Sequence, residues 1–199
     1  MATNEVPASV ADAAAEPAVG GWALASYTLV LASIVVWPAF VVWGGIWFTI
    51  SDAMGLILAT VTIPLIVGLD RVFAPRAPTG ARVARWVGIA AMVLLGAGSL
   101  LLIAGQVDHE FQPAQGGLGV QFAGWGLWGL WLTMTGHLAR RTGTFGRGVV
   151  WSGYTVGISI LVGLVGAVQG PAHPITIAGA VGMFGALTSW TFAVRRQTA

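Results

Sequence analysis

Cysteine and lysine are both absent from the 199 residues of this chain, and charge of either sign is scarce, with 8% Asp, Glu, Lys and Arg. Without cysteine there is no disulfide, no thiolate nucleophile, and no cysteine-ligated zinc or iron–sulfur site. Without lysine, arginine makes up the whole basic complement of nine. Those arginines lie in short clusters, the pattern of a membrane topology signal and not of a nucleic-acid footprint. The scarcity of charge also excludes an ordinary soluble domain, in which about 25% of residues are charged.

What the chain has is apolar length: 56% of it is hydrophobic and its mean hydropathy is +0.83. A bilayer core takes roughly 20 apolar residues per helix, and several runs of that length occur. Residues 1–21, rich in Ala and Pro with Glu5, Asp12 and Glu16, show no apolar periodicity and read as a disordered tail. They do not read as a secretory signal, because no basic residue precedes Arg71.

From Trp22 to Phe73 a single helix would be about 78 Å long at 1.5 Å per residue, so the run must hold two spans. The break is expected at "GGIWFTISD", where Gly44 and Gly45 loosen one helix and Ser51 or Asp52 caps the next. The spacing predicts spans at about 22–47, 53–72, 83–105, 118–139, 149–169 and 175–194. The expected fold is therefore an all-α integral membrane protein, with a six-helix transmembrane domain over 22–196. Pro174 suits a first helical turn, whereas Pro38 and Pro64 fall inside spans and should kink them.

Arginine sets the expected orientation. Arg71, Arg76, Arg82 and Arg85 surround the second loop, Arg140, Arg141 and Arg147 the fourth, and Arg195 and Arg196 the C-terminus. Cytoplasmic loops collect positive charge, so both termini are expected inside, with Asp52, the segment 105–117 and the "QGPAHP" loop outside.

Of the ten tryptophans, Trp22, Trp86, Trp151 and Trp190 fall near the inner interface and Trp43 and Trp47 near the outer one, as an aromatic belt requires. Trp125, Trp128 and Trp131 in "GWGLWGLW" lie too deep for that. They either pack beside Gly124, Gly126 and Gly129 or form a wall for a small apolar ligand such as a lipid, quinone or pigment. Span five carries two glycine stripes, Gly153 with Gly157, and Gly163 with Gly166 and Gly170, which should let helices approach on two sides. Gly179, Gly182 and Gly185 make span six one neighbour, and some of these glycines could equally face a second copy.

No charged residue lies in the central half of a predicted span, which disfavours an ion-driven carrier. Phosphate-loop, zinc-protease and serine-hydrolase motifs are absent. The expected topology gathers Asp52, Asp108, His109, Glu110 and His173 on the outer face. Imidazoles with carboxylates can ligate a divalent metal, although adjacent Asp108, His109 and Glu110 have no recognised ligand spacing and read equally as solvated loop residues. His137 lies at the inner end of span four, about 30 Å across the membrane from His109, so the two cannot share one haem iron.

From "LTMTGHLARRTGTFGRGVVWSGYTVGISIL" onward the alternation of span, short arginine turn and glycine-rich span resembles small uncharacterised bacterial multi-span membrane proteins, the domain-of-unknown-function type. The resemblance covers the last three spans and has Gly143, Thr144 and Phe145 where such turns carry proline. It implies fold and a bacterial inner-membrane location, without an activity. Taken together, the expectation is a non-catalytic structural or accessory subunit that packs with itself or a larger complex and needs no cofactor. A binder of a small apolar ligand, and an outer-face metal site or enzyme, are the alternatives.

Overall fold

A computed structural model of the protein describes residues 17–43, 46–107, 111–170 and 173–198. Among them are six helices and no strand: α1 (Pro17–Trp43), α2 (Ile46–Phe73), α3 (Pro78–Val107), α4 (Phe111–Thr142), α5 (Arg147–Ala167) and α6 (Pro174–Thr198). Four are long and apolar enough to cross a membrane: α2 over Thr49–Phe73, α3 over Pro78–Gln106, α5, and α6 over Pro174–Gln197. In α1 the described apolar stretch is Val19–Ser33. Helix α4 is less apolar because Gln112, Gln115, Gln121, His137 and a series of glycines interrupt it.

The helices form an up-and-down ring in which each packs on the next and α1 closes on α6. The alternation is visible in the pairs that meet. Ser26 of α1 faces Thr62 of α2 at 3.3 Å, Asp70 at the end of α2 pairs with Arg85 near the start of α3 at 3.0 Å, and Tyr27 of α1 bonds Thr188 of α6 at 3.0 Å. All nine arginines therefore fall at one end of the bundle, the end where α2, α4 and α6 finish.

Val93, Leu100, Val165 and Val181 stand exposed on the outer surface, which is how a bundle solvated by lipid presents itself. Lipid offers no hydrophobic drive to pack helices, so close backbone contact has to hold them. The glycines supply it between α3, α4, α5 and α6. A Cβ on Gly124 would lie 2.6 Å from the Leu95 backbone nitrogen, and one on Gly129 3.0 Å from the Gly157 carbonyl oxygen. The first α5 stripe, Gly153 and Gly157, seats α4; Gly163 and Gly166 of the second seat α6 at Gly179 and Thr176. Gly170 is apart from that stripe: it has φ +130° just beyond α5, where glycine alone is at ease, and nothing within 4 Å of a Cβ. A Cβ on Gly185 would likewise meet nothing within 4 Å.

Two local expectations change. Helix α1 begins at Pro17, within the stretch expected to be tail, because proline suits a first turn and Val19 is buried against Gly68. Residues 1–16 lie outside the described set, as do the side chains of Trp37, Pro38 and Trp43. Helix α2 begins at Ile46, before Ser51 and Asp52, so neither residue caps it. Pro64 is inside α2 as expected.

Candidate functional site

The most polar buried place among the described residues lies between α2, α3 and α4, at the end of the bundle away from the arginines. Its centre is Asp52, about 9 Å along the helix axis from Ile46 at 1.5 Å per residue. It is only 7% exposed. Gln106 of α3 donates from Nε2 to Asp52 Oδ2 at 3.0 Å, and Gln121 of α4 donates from Nε2 to Oδ1 at 3.2 Å. The same Gln121 nitrogen donates to Ser99 Oγ at 3.2 Å. Thr49 donates its hydroxyl to Gln106 Oε1, which leaves the Gln106 amide N–H groups to the carboxylate.

Glycine makes this meeting feasible. A Cβ on Gly98 would overlap the Gln121 backbone nitrogen at 2.6 Å, so its absence lets α4 come against α3 at that residue. One on Gly55 would lie 2.7 Å from Ser99 Oγ and 3.9 Å from Gln121 Nε2. The Asp52–Gln121 bond joins α2 to α4 across α3, between two helices that otherwise barely touch.

Both carboxylate oxygens thus accept from neutral amides, and no arginine or histidine among the described residues reaches them. The other charged or titratable side chains described on these three helices, Asp70, Arg71, Arg82, Arg85, His137, Arg140 and Arg141, sit towards the opposite ends. Helix α1, which also packs on α2, has no charged residue in Pro17–Trp43, and its Tyr27 hydroxyl is bonded to Thr188 of α6. A bare charge so placed is costly, and a proton or a small cation is what removes the cost.

A second feature is the middle of the ring. Ser26, Tyr27, Thr62, Trp128, Trp131, Trp190 and Thr191 surround a cavity of about 10 Å³, far below the ~300–1,000 Å³ usual for small-molecule sites. Trp128 Nε1, Trp190 Nε1 and Thr191 Oγ1 are buried there without a hydrogen-bond partner among the described residues. The tryptophans fill space against one another: Trp125 meets Trp128 edge-on at 5.1 Å, and Trp131 meets Trp190 at 6.5 Å. Gly88 seats the Trp131 ring, since a Cβ there would lie 2.8 Å from Trp131 Cδ1. Trp190, expected at the interface, is instead 2% exposed. The rings turn the glycine-rich face of α4 into packing, and they leave little room for a quinone or pigment.

Of the residues expected to share an outer site, Asp52 and His173 are described. Asp52 is inside α2 and not in a loop. His173 stands in the turn before α6, where its Nδ1 accepts from the Ile175 backbone N–H at 3.3 Å. Asp108, His109 and Glu110 lie outside the described residues. No group of three or more His, Cys, Asp and Glu comes together to hold a metal among the described residues. His137 is exposed near the arginine end, 3.4 Å from the Tyr154 hydroxyl. Gln106 and Ser99 escaped the sequence reading because nothing local distinguishes them from solvated or helix-facing polar residues. The available signal was Gln106 and Gln121, two amides bordering long apolar runs. Comparison of the chain with protein-family models, curated proteins and solved structures finds no match.

Proposed function

We propose that this chain is a non-catalytic multi-pass subunit of a bacterial inner membrane, with both termini cytoplasmic, whose helix packing responds to the protonation of Asp52. The observation that carries the reading is the Asp52 carboxylate itself, buried inside a membrane-length helix and held by two amides with no cation beside it among the described residues. Ionisable residues inside a membrane are expensive, and their retention marks function more often than structure.

The chemistry follows from donor and acceptor counting. Ionised, Asp52 accepts from both amides. Protonated, one oxygen becomes a donor, and a glutamine must turn to offer its Oε1 in place of Nε2. Because Gln106 also holds Thr49 and Gln121 also holds Ser99, that turn is felt in α2, α3 and α4 together. The glycine stripes of α5 are used within the chain, so self-association draws no support from them. Packing with a larger complex remains the reading for partners.

Infrared difference spectra of the protein in lipid, taken across a pH titration, test this directly. A protonated-carboxyl C=O band that appears on acidification and is missing in Asp52→Asn is expected. An identical titrating band in the variant, or none in the native chain, would overturn the proposal.

A further inference from the structure

At the arginine end, the last turn of α4, the turn 143–146 and the start of α5 enclose an open groove of about 520 Å³. Arg140 and Arg147 stand on its rim, and Phe145, Val150, Trp151 and Tyr154 form its wall. We propose that this groove binds the phosphodiester headgroup of an anionic phospholipid, with an acyl chain lying along Trp151. The inference is independent of the role assigned to Asp52.

Charge complementarity comes first. Two carboxylates belong to the described residues, Asp52 and Asp70. Asp52 is at the other end of the bundle, and Asp70 is engaged by Arg85 at 3.0 Å. Neither lines the groove. Two arginines lining one groove, each guanidinium a planar fork of donors, match a phosphate that can accept from both.

The wall then selects a lipid over a free anion. Trp151 is 64% exposed, faces outward one turn into α5, and has Tyr154 beside it at 6.2 Å between ring centroids. An amphipathic ring at that depth sits at the headgroup level of a bilayer. The groove therefore runs from cationic to apolar in the direction in which a phospholipid does, and basic pockets between helices on the cytoplasmic side are where acidic headgroups bind. The turn also has a fixed shape. Gly143 at φ +65° ends α4 in the left-handed conformation, and Gln197 of α6 accepts from the Gly146 N–H at 2.9 Å.

Native mass spectrometry of the full chain in mild detergent, titrated with dioleoylphosphatidylglycerol or dioleoylphosphatidylcholine, reads this out. One phosphatidylglycerol should be retained at least about tenfold better than phosphatidylcholine, a preference worth about 1.4 kcal/mol. Arg140→Gln/Arg147→Gln should abolish the preference, while Arg76→Gln/Arg82→Gln, at the same end but off the groove, should keep it. Trp151→Ala should weaken retention of both lipids with the arginines intact. Equal retention of both lipids by the native chain overturns the proposal, as does an equal loss in the two arginine pairs, which would mean diffuse charge. Full displacement by millimolar inorganic phosphate, with no effect of Trp151→Ala, would assign the groove to a free anion and overturn it as well. Thermal unfolding of each variant separates loss of the groove from loss of fold.

Discussion

Asp52 Oδ2 accepts from Gln106 Nε2 at 3.0 Å, a bond between residues 54 positions apart that ties the first turns of α2 to the last of α3. Removing the amide leaves a buried carboxylate oxygen without its donor, which costs about 1–3 kcal/mol. Gln106→Leu should therefore lower the thermal midpoint in detergent clearly more than Thr49→Val, which removes a bond to the amide alone. In a double-mutant cycle with Asp52→Asn, Gln106→Leu should show a coupling of about 0.5–3 kcal/mol. Additive behaviour would mean the two side chains do not interact.

Gly98 is where α4 comes close enough for Gln121 to reach Asp52. A methyl there would meet the Gln121 backbone at 2.6 Å, and backbone cannot move aside cheaply. Gly98→Ala should destabilise by about 1–3 kcal/mol, as overpacking does. Gly116→Ala, with nothing within 4 Å of its Cβ, should stay within about 0.5 kcal/mol. Chemical denaturation of the pair in one detergent measures the contrast.

Gly179 sets α6 against α5, since its Cβ would collide with Gly163. Gly179→Leu should destabilise the fold without changing the number of copies seen in size-exclusion light scattering. A change in oligomeric state alone would place this glycine at a face between copies.

Thr191 Oγ1 is buried in the central cavity with no partner among the described residues. Valine has the same shape without the hydroxyl, so Thr191→Val should leave stability unchanged or raise it by up to about 1 kcal/mol. A fall in the thermal midpoint would instead mean that a molecule in the cavity is hydrogen-bonded to this side chain.

The orientation can be read by labelling, because the chain has no native cysteine. Gln112→Cys, at the start of α4, should react with an impermeant thiol reagent in intact cells. Gly143→Cys, at the arginine end, should react only after permeabilisation. The reverse pattern would invert the topology.

Composition and local pattern by themselves determined that this is an all-helical chain of membrane-length segments, and where its arginines cluster, because hydropathy and charge act residue by residue along one helix. They also marked the α5 glycines as places of close approach. They could not say which faces would meet. The expected cap at Asp52 became a buried carboxylate because α2 starts at Ile46, a boundary that depends on packing beyond the local signal. Trp190, read as an anchor, turned inward to Trp131 because α6 closes the ring on α1. Only the tertiary structure decided that Gln106, Gln121 and Ser99 would share one site. Their meeting rests on the rotational register of three helices, set by sub-ångström fits such as Gly98 on Gln121, and register between distant segments is written in no single stretch of the chain.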